Sequence, residues 1–79
     1  MKSKRSSMNH LLVKLGNRIS TRRKAIRLFQ AELAHKASLH RTYVSDLERG
    51  ARNPSLFTLY RVAQALETTV AALTRGICA

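Results

Sequence analysis

Acidic residues are scarce in this chain. Its 79 residues include 15 Lys and Arg but only 4 Asp and Glu, which gives a formal net charge of +11 at pH 7. Repulsion among so many like charges opposes compaction, so an excess of this size usually reflects a polyanionic partner. Nucleic acid is the commonest such partner, and an anionic membrane surface is the second. The length predicts one small domain with a modest core.

Cysteines and long apolar runs are also nearly missing. Cys78 is the only cysteine, so it cannot form an internal disulfide, which fits a reducing, cytoplasmic location. No apolar run approaches the ~20 residues that a transmembrane helix needs. The apolar residues 11–13 are too few for a signal-peptide core before Lys14 interrupts them. A membrane-active protein that binds through a basic first helix is an alternative, but we expect no membrane partner because the apolar stripe of that helix, described below, is better explained as core.

Residue types that bind metals or carry out catalysis do not form a recognisable set. His10, His35 and His40 lack i,i+4 spacing, and Cys78 is remote from them in the sequence, so no set of metal ligands is predicted. The chain also has no nucleophile–base constellation and no glycine-rich phosphate loop. We predict that the protein is not an enzyme and needs no metal or cofactor.

The spacing of apolar residues predicts an all-α protein with five helices. Leu12, Leu15, Ile19 and Ile26 repeat at intervals of three, four and seven residues, which is typical of one buried helical stripe. Arg23 falls on the same stripe, and an unpaired charge there would cost several kcal/mol. The remaining helices are predicted at about 30–36, 41–49, 56–66 and 70–74.

Local signals mark the ends of these helices. Gly50 follows the third helix, where a left-handed C-cap residue is favoured. Pro54 cannot continue a helix and Ser55 is a good N-cap for the fourth, while Thr68 or Thr69 can cap the fifth. We predict three regions: a flexible basic arm over residues 1–10, a helical domain over residues 11–76 and a C-terminal tail over residues 77–79. The arm is either an unstructured leader or a segment that reaches a DNA minor groove.

Residues 30–54 carry a specific pattern. It comprises Gln30, Glu32-Leu33-Ala34, Ser45-x-Leu47-Glu48-x-Gly50 and Asn53-Pro54. This pattern resembles the Cro/repressor-type helix-turn-helix family, also called the xenobiotic-response-element family. The segment Arg41-Thr42-Tyr43-Val44-Ser45, with Glu48-Arg49 and Arg52-Asn53, is similar to the controller proteins of restriction-modification systems. The resemblance implies a compact five-helix, lambda-repressor-like DNA-binding domain whose helix-turn-helix is formed by the second and third helices.

The sequence departs from this family pattern at three positions. Ser38 stands at a turn position where glycine is common, and a positive φ there would cost of order 1 kcal/mol. His40 stands where Ser or Thr usually caps the third helix, and Glu67 where glycine often ends the fourth. Together these departures predict a domain less stable than the family average.

In this family the start of the third helix reads base edges in the major groove. The base-reading candidates here are Arg41, Thr42, Ser45 and Asp46. Arg41 could pair with guanine O6 and N7, Thr42 could offer its hydroxyl or methyl group, and Asp46 could accept from cytosine N4. The alternatives are that Arg41 binds only phosphate, that Ser45 fills a helix crossing, and that Asp46 pairs with Arg49 or repels wrong DNA.

Phosphate contacts fix the register and supply affinity without reading sequence. Gln30 is a candidate because it opens the second helix. The resemblance adds Tyr43, Arg49, Arg52 and Asn53. The alternatives are a half-buried packing role for Tyr43 and a solvated turn for Arg52 and Asn53.

The resemblance also implies two structural features. Arg23 and Glu48 are expected to form an ion pair that locks the first helix against the third, the alternative being that Glu48 is an ordinary surface carboxylate. A homodimer is expected because one helix-turn-helix reads few base pairs, whereas two can span half-sites ~34 Å apart. The expected interface is Val70, Ala71, Leu73, Thr74 and Ile77, with the chain's own core as the alternative location.

These inferences predict a sequence-specific, double-stranded DNA-binding transcriptional regulator that acts as a homodimer on a two-half-site operator. The similarity to controller proteins suggests an autoregulatory controller of a restriction-modification system. An antitoxin that binds its own operator and neutralises a toxin with another face is the alternative. No small-molecule effector is expected.

Overall fold

The computed structural model describes the backbone of residues 2–78 and the side chains of residues 9–78. Within this part of the chain there are five helices and no strand: α1 (Lys2–Ala25), α2 (Gln30–Ala37), α3 (Arg41–Glu48), α4 (Leu56–Ala65) and α5 (Val70–Thr74). The predicted all-α, five-helix fold is thereby confirmed. The bounds of α2 to α5 agree with the predicted ones to within one residue.

Both ends of the folded region differ from the predicted division. α1 begins at Lys2, so residues 2–10 continue the helix where a flexible arm was expected. This segment has no glycine or proline to stop a helix, and it lacks the apolar repeat by which a helix is predicted from sequence. At the other end Ile77 is only 7% exposed and belongs to the core, although the tail was predicted to begin there. Met1 and Ala79 lie outside the described residues.

The core takes apolar side chains from all five helices. Its most deeply buried members are Ile19, Leu33, Leu47, Leu66, Val44 and Val62. α2 packs against α3 and α4, while α1 packs against α3 and α5. As a result α3 is held from two sides, by α1 and by α2.

α1 and the end of α3 approach each other closely at a glycine. Gly16 is buried inside α1, and a Cβ there would lie 2.5 Å from the carbonyl oxygen of Glu48 and 2.6 Å from that of Leu47. Gly50 follows α3 with φ 78°, and a Cβ on it would lie 2.8 Å from the Cα of Val13. The predicted left-handed cap at Gly50 is confirmed, and both glycines let the two backbones meet.

Side-chain caps start three of the helices. Ser55 Oγ accepts from the Thr58 amide at 3.0 Å, as predicted, and Thr69 Oγ1 accepts from the Ala72 amide at 3.0 Å. His40 supplies the cap of α3 in place of Ser or Thr, because its Nδ1 accepts from the Thr42 amide at 3.1 Å. Such caps satisfy backbone donors that have no partner within the helix.

Among residues 2–78, three residues other than glycine have a left-handed backbone. Ser38 and Glu67, the two positions where the family pattern has glycine, both have φ 58°. Because φ at Ser38 is positive, the strain expected for that case, roughly 1 kcal/mol, applies to this residue. Arg27 has φ 62°, which the sequence did not predict.

Arginine side chains close the C-terminal ends of three helices. Arg18 donates to carbonyls at the end of α5, Arg22 to carbonyls at the end of α4, and Arg61 to carbonyls at the end of α2. The shortest nitrogen–oxygen distances are 2.7 Å to Arg75, 2.8 Å to Leu66, 2.9 Å to Glu67, and 2.7 Å to both Ala37 and Ser38. A guanidinium in this position pairs with unsatisfied carbonyls and complements the negative end of the helix dipole. Nothing in the sequence pattern had separated these arginines from the rest.

Candidate nucleic-acid interface

The first turn of α3 presents polar side chains to solvent. Arg41 and Thr42 are exposed and Ser45 is half-buried. On the opposite face Val44 and Leu47 are 0% and 1% exposed, so packing fixes the rotation of the helix about its own axis. The base-reading candidates therefore lie on or next to an open surface, as a groove-reading role requires.

The C-terminal end of α3 is tied to α1 by the ion pair that the sequence predicted. Arg23 Nε donates to Glu48 Oε2 at 2.6 Å and Arg23 Nη2 donates to Glu48 Oε1 at 3.0 Å. The two side chains are only 11% and 7% exposed. Arg23 Nη1 also donates to the Leu28 carbonyl at 2.8 Å, which links the pair to the loop before α2. A two-pronged pair of this kind resists rotation as well as separation.

The environment of this pair stabilises both charged forms. Burial alone would raise the pKa of the Glu48 carboxyl, but hydrogen bonds from Arg23 and Gln30 and the charge of Arg23 outweigh burial and hold that pKa below its ordinary value of 4.5. The hydrogen bond to Glu48 in turn raises the pKa of the Arg23 guanidinium. The pair is therefore ionised at neutral pH.

Gln30 joins α2 to the same carboxylate. Its side chain is half-buried, and Nε2 donates to Glu48 Oε1 at 3.0 Å. The amide nitrogen that the sequence assigned to phosphate is thus engaged inside the protein, and the phosphate role of Gln30 stays a prediction. The link between Gln30 and Glu48 was not predicted, because nothing in the sequence signals a contact between residues 18 positions apart.

The other polar residues of α3 and the following loop form a second group, here called the Asp46 cluster: Tyr43, Asp46, Arg49 and Arg52. The Asp46 carboxylate pairs with Arg49 Nη2 and lies 3.5 Å from Arg52 Nε. The Arg52 guanidinium carbon lies 5.0 Å from the centroid of the Tyr43 ring, within the range of a cation–π contact. Asn53 is exposed in the loop beside them.

The Asp46 cluster is relevant to two alternatives: whether Asp46 reads cytosine or pairs with Arg49, and whether Tyr43 contacts phosphate or packs against the core. Asp46 forms the pair with Arg49 that was the alternative to reading cytosine, and Tyr43 is half-buried against the core, as its packing alternative proposed. Arg49 and Arg52 are 64% and 51% exposed, so their remaining donors face solvent. Contacts with bases or phosphates stay predictions for all four residues.

The predicted dimer surface on α5 is only partly available. Leu73 in α5 and Ile77, which follows α5, are 3% and 7% exposed and fill the chain's own core. The prediction that they face a partner is corrected on this point, because core packing already covers both side chains. Ala71 is exposed, and Val70 and Thr74 are half-buried.

A larger apolar surface lies on α4. Leu56, Phe57 and Tyr60 are 72%, 66% and 48% exposed. Tyr60 is four residues from Leu56 and three from Phe57, and positions three and four residues apart are neighbours on a helix, so the three side chains form one apolar patch, here called the α4 patch. The sequence analysis had not identified this α4 patch.

Two further features were searched for in the described residues, a membrane-spanning helix and a cluster of metal ligands. None of the helices in residues 2–78 combines the length and apolarity needed to cross a membrane. Nor do three or more His, Cys, Asp or Glu residues in this part of the chain come together in a group that could hold a metal ion.

Sequence comparison identifies relatives of the chain. The immunity repressor protein of Bacillus phage phi105 is 49% identical over 59 residues, which are 75% of this chain and 41% of that protein. Control protein C.BamHI of Bacillus amyloliquefaciens is 51% identical over 37 residues, 47% of this chain and 46% of that protein. The chain thus spans less than half the length of these two curated relatives.

A structural comparison and a family model extend the match to the fold. The crystal structure of the restriction-modification controller protein C.AhdI from Aeromonas hydrophila superimposes with a TM-score of 0.77 at 42% identity, covering 78% of this chain and 94% of that one. The model of the helix-turn-helix family matches residues 19–73, which include α2 to α5 almost entirely. The chain therefore belongs to the helix-turn-helix family of DNA-binding regulators, and it resembles restriction-modification controller proteins in sequence and in fold.

Proposed function

We propose that this protein regulates transcription by binding a two-half-site operator as a homodimer, in the manner of an autoregulatory restriction-modification controller. The observation that carries the proposal is the presentation of Arg41 and Thr42 on a helix held from behind by its core and by the Arg23–Glu48 pair. The similarity to a phage repressor and to controller proteins supports it. That similarity gives no support to the antitoxin alternative. A regulator acting on DNA also fits the expected cytoplasmic location.

α3 would enter the major groove, which is wide enough for a helix and shows a distinct pattern of donors and acceptors for each base pair. Arg41 would read guanine, with Thr42 and Ser45 beside it. Arg49, Arg52 and Asn53 would contact phosphates next to the groove, and Gln30 and Tyr43 would support that contact. Because α1 and α2 pack against α3 from two sides, the phosphate contacts can set the depth and angle of α3 in the groove without deforming the helix.

The dimer would use α4 and α5 together. The residues of the predicted surface that are not in the core, the exposed Ala71 and the half-buried Val70 and Thr74, offer little apolar area. α4 packs against α5, and its patch supplies the large side chains that an interface core needs. A second copy of the chain is the occupant that two half-sites require.

Sedimentation equilibrium tests this surface. Phe57→Lys places a charge in the α4 patch and should shift the chain from dimer to monomer. Phe29→Lys is a matched control, because Phe29 is 77% exposed at the start of α2 and the net charge changes equally. If Phe57→Lys remained a dimer, or if both variants lost the dimer equally, the dimer interface would not include the α4 patch.

DNA binding is tested by fluorescence anisotropy on a random duplex over a range of salt concentrations. The logarithm of affinity should fall linearly with the logarithm of salt, by ~0.9 for each phosphate neutralised, with a total slope of several units. A response that is independent of salt would refute DNA binding through this surface.

Base reading is tested next, on the operator recovered by selection from a random duplex library. Arg41→Ala should relax the preference at one position in each half-site, by ~1–3 kcal/mol. Arg52→Ala should weaken all operator variants about equally, because a phosphate contact carries no sequence information. If Arg41→Ala also weakened all variants equally, Arg41 would be a phosphate ligand.

A further inference from the structure

The Asp46 cluster places an acid at the centre of the proposed phosphate-binding surface. Asp46 is one of only 4 acidic residues in the chain. Its carboxylate pairs with Arg49 and lies 3.5 Å from Arg52 Nε, while the Arg52 guanidinium rests on the Tyr43 ring. The two arginines expected to bind phosphate thus both contact one carboxylate.

These ion pairs are poorly suited to stabilising the fold. Asp46 is 20% exposed, but Arg49 and Arg52 are 64% and 51% exposed, and ion pairs whose basic partner is held in water are worth only ~0–1 kcal/mol. The buried Arg23–Glu48 pair, by contrast, has side chains 11% and 7% exposed. An exposed pair can be exchanged for a phosphate at little cost, whereas a buried one cannot.

The acid also changes the charge that DNA meets. With both arginines paired to it, the group of Asp46, Arg49 and Arg52 presents a net charge of about one positive unit to an approaching phosphate, and the carboxylate repels phosphates that come near it. Two arginines free of the acid would attract any duplex, whatever its sequence. Specific recognition requires that attraction to wrong sites stay weak.

We propose that Asp46 determines specificity by keeping Arg49 and Arg52 in ion pairs on non-cognate DNA. On the operator, base contacts made by the first turn of α3 fix the register of the duplex, and the two arginines exchange the carboxylate for phosphates. The proposal rests on the proposed function and deepens it, since it concerns the same surface. Asp46 then acts through its neighbours and is not itself the base reader.

Asp46→Asn removes the charge and keeps the shape of the side chain. On random duplex the variant should bind more tightly than wild type, and its log–log salt slope should steepen by ~0.9 for one released arginine or ~1.8 for two. Affinity for the selected operator should change less, so the ratio of operator to random affinity should fall. Weaker binding to random duplex, or a loss of preference at a single base position, would overturn the proposal.

Glu67→Gln is the matched control. It changes the net charge by the same amount, and Glu67 is exposed at the end of α4, away from α3. It should raise affinity for both duplexes by a similar small factor and leave their ratio unchanged. If Asp46→Asn behaved like Glu67→Gln while the wild type showed its salt-dependent binding, only the role of Asp46 would be refuted. A wild type without salt-dependent binding would refute the proposed function and the role of Asp46 with it.

The double variant Arg49→Gln/Arg52→Gln tests the same idea without altering Asp46. Its salt slope on random duplex should match that of wild type, because the paired arginines contribute little there. Its slope on the operator should fall by ~0.9 for each phosphate that is no longer neutralised. If the salt slope fell equally on both duplexes, Asp46 would not keep the two arginines from binding phosphate on random DNA.

Discussion

Gly16 occupies a position in α1 where any side chain would strike backbone. In an exposed helix interior, replacing glycine by alanine stabilises by ~1 kcal/mol. Here the new Cβ would lie 2.5 Å and 2.6 Å from the carbonyl oxygens of Glu48 and Leu47, and these atoms cannot retreat unless α3 moves. We expect Gly16→Ala to lower the free energy of unfolding by ~1–3 kcal/mol, the usual cost of overpacking.

Urea denaturation followed by circular dichroism measures this effect. Asn17→Ala is the control, because Asn17 is the next residue of α1 and is exposed; its effect should stay within ~0.5 kcal/mol. A denaturation midpoint for Gly16→Ala equal to or above that of wild type would contradict the close approach of α1 and α3.

Ser38 offers the opposite case, a position where glycine should improve the protein. Its φ of 58° is unfavourable for a residue with a Cβ, so Ser38→Gly should raise the free energy of unfolding by up to ~1 kcal/mol, reduced by the greater freedom of glycine in the unfolded chain. Ser45→Gly, in the helical backbone of α3, should instead lower it by roughly 0.5–1 kcal/mol. Thermal melting compares the two, and a lower melting temperature for Ser38→Gly would show that no strain is present.

Local conformation was predictable only where the family pattern pointed to it. Ser38 and Glu67 were identified because glycine is usual at their positions, and both are left-handed. Arg27 has the same conformation, but nothing nearby in the sequence indicates it. Its backbone is set by how the chain must turn between α1 and α2, which is a property of packing.

At the scale of elements, the pair between α1 and α3 predicts how stability depends on pH. The pKa of Glu48 is lowered from 4.5 in the folded protein, so the folded state binds fewer protons than the unfolded state at acidic pH. The stabilisation from this group is therefore complete above the unfolded value and is lost as the pH falls through the folded value. Glu48→Gln should be less stable than wild type by ~3 kcal/mol at pH 7, because Arg23 keeps its charge without a partner.

Denaturation of both proteins between pH 7 and pH 3 tests this prediction. The gap between wild type and Glu48→Gln should narrow once the pH falls below about 4.5. Glu67→Gln controls for removal of a surface carboxylate and should differ from wild type by no more than ~0.5 kcal/mol at pH 7. A gap that stayed constant across the whole range would mean that the pair does not stabilise the folded state through its charge.

Helices were predicted well where residues within one turn mark their ends, and poorly where the outcome depends on contacts with other parts of the molecule. α2 to α5 were placed to within one residue; Gly50, Ser55 and Thr69, which mark ends of α3, α4 and α5, each act within a single turn. The start of α1 was missed because residues 2–10 carry no apolar repeat in the sequence. Leu73 and Ile77 were assigned to a dimer because apolar spacing looks the same for a core and for an interface.

At the scale of the whole molecule, the formal charge overstates what the protein offers to DNA. Arg18, Arg22 and Arg61 bind carbonyls at helix ends, and Arg23 binds Glu48. At least these four of the 15 basic residues therefore serve the fold. Composition alone counts every charge alike, so the charge excess indicated a polyanionic partner without showing which residues meet it.

This division of the arginines can be tested with two substitutions that each remove one positive charge. Arg22→Gln loses hydrogen bonds of 2.8 Å to Leu66 and 2.9 Å to Glu67 at the end of α4. It should lower the free energy of unfolding by ~1.5–3 kcal/mol, as for other hydrogen bonds to charged groups. Its salt slope on random duplex, measured well below the melting temperature, should equal that of wild type.

Arg41→Gln should show the converse behaviour. Arg41 is exposed at the start of α3, so its melting temperature should match wild type while its salt slope falls by up to ~0.9. Thermal melting and anisotropy on the same samples separate the two roles. If Arg22→Gln and Arg41→Gln reduced the salt slope equally, the positive charge would act as a diffuse field over the whole surface. In that case α3 would contribute no more to DNA binding than the other basic parts of the protein.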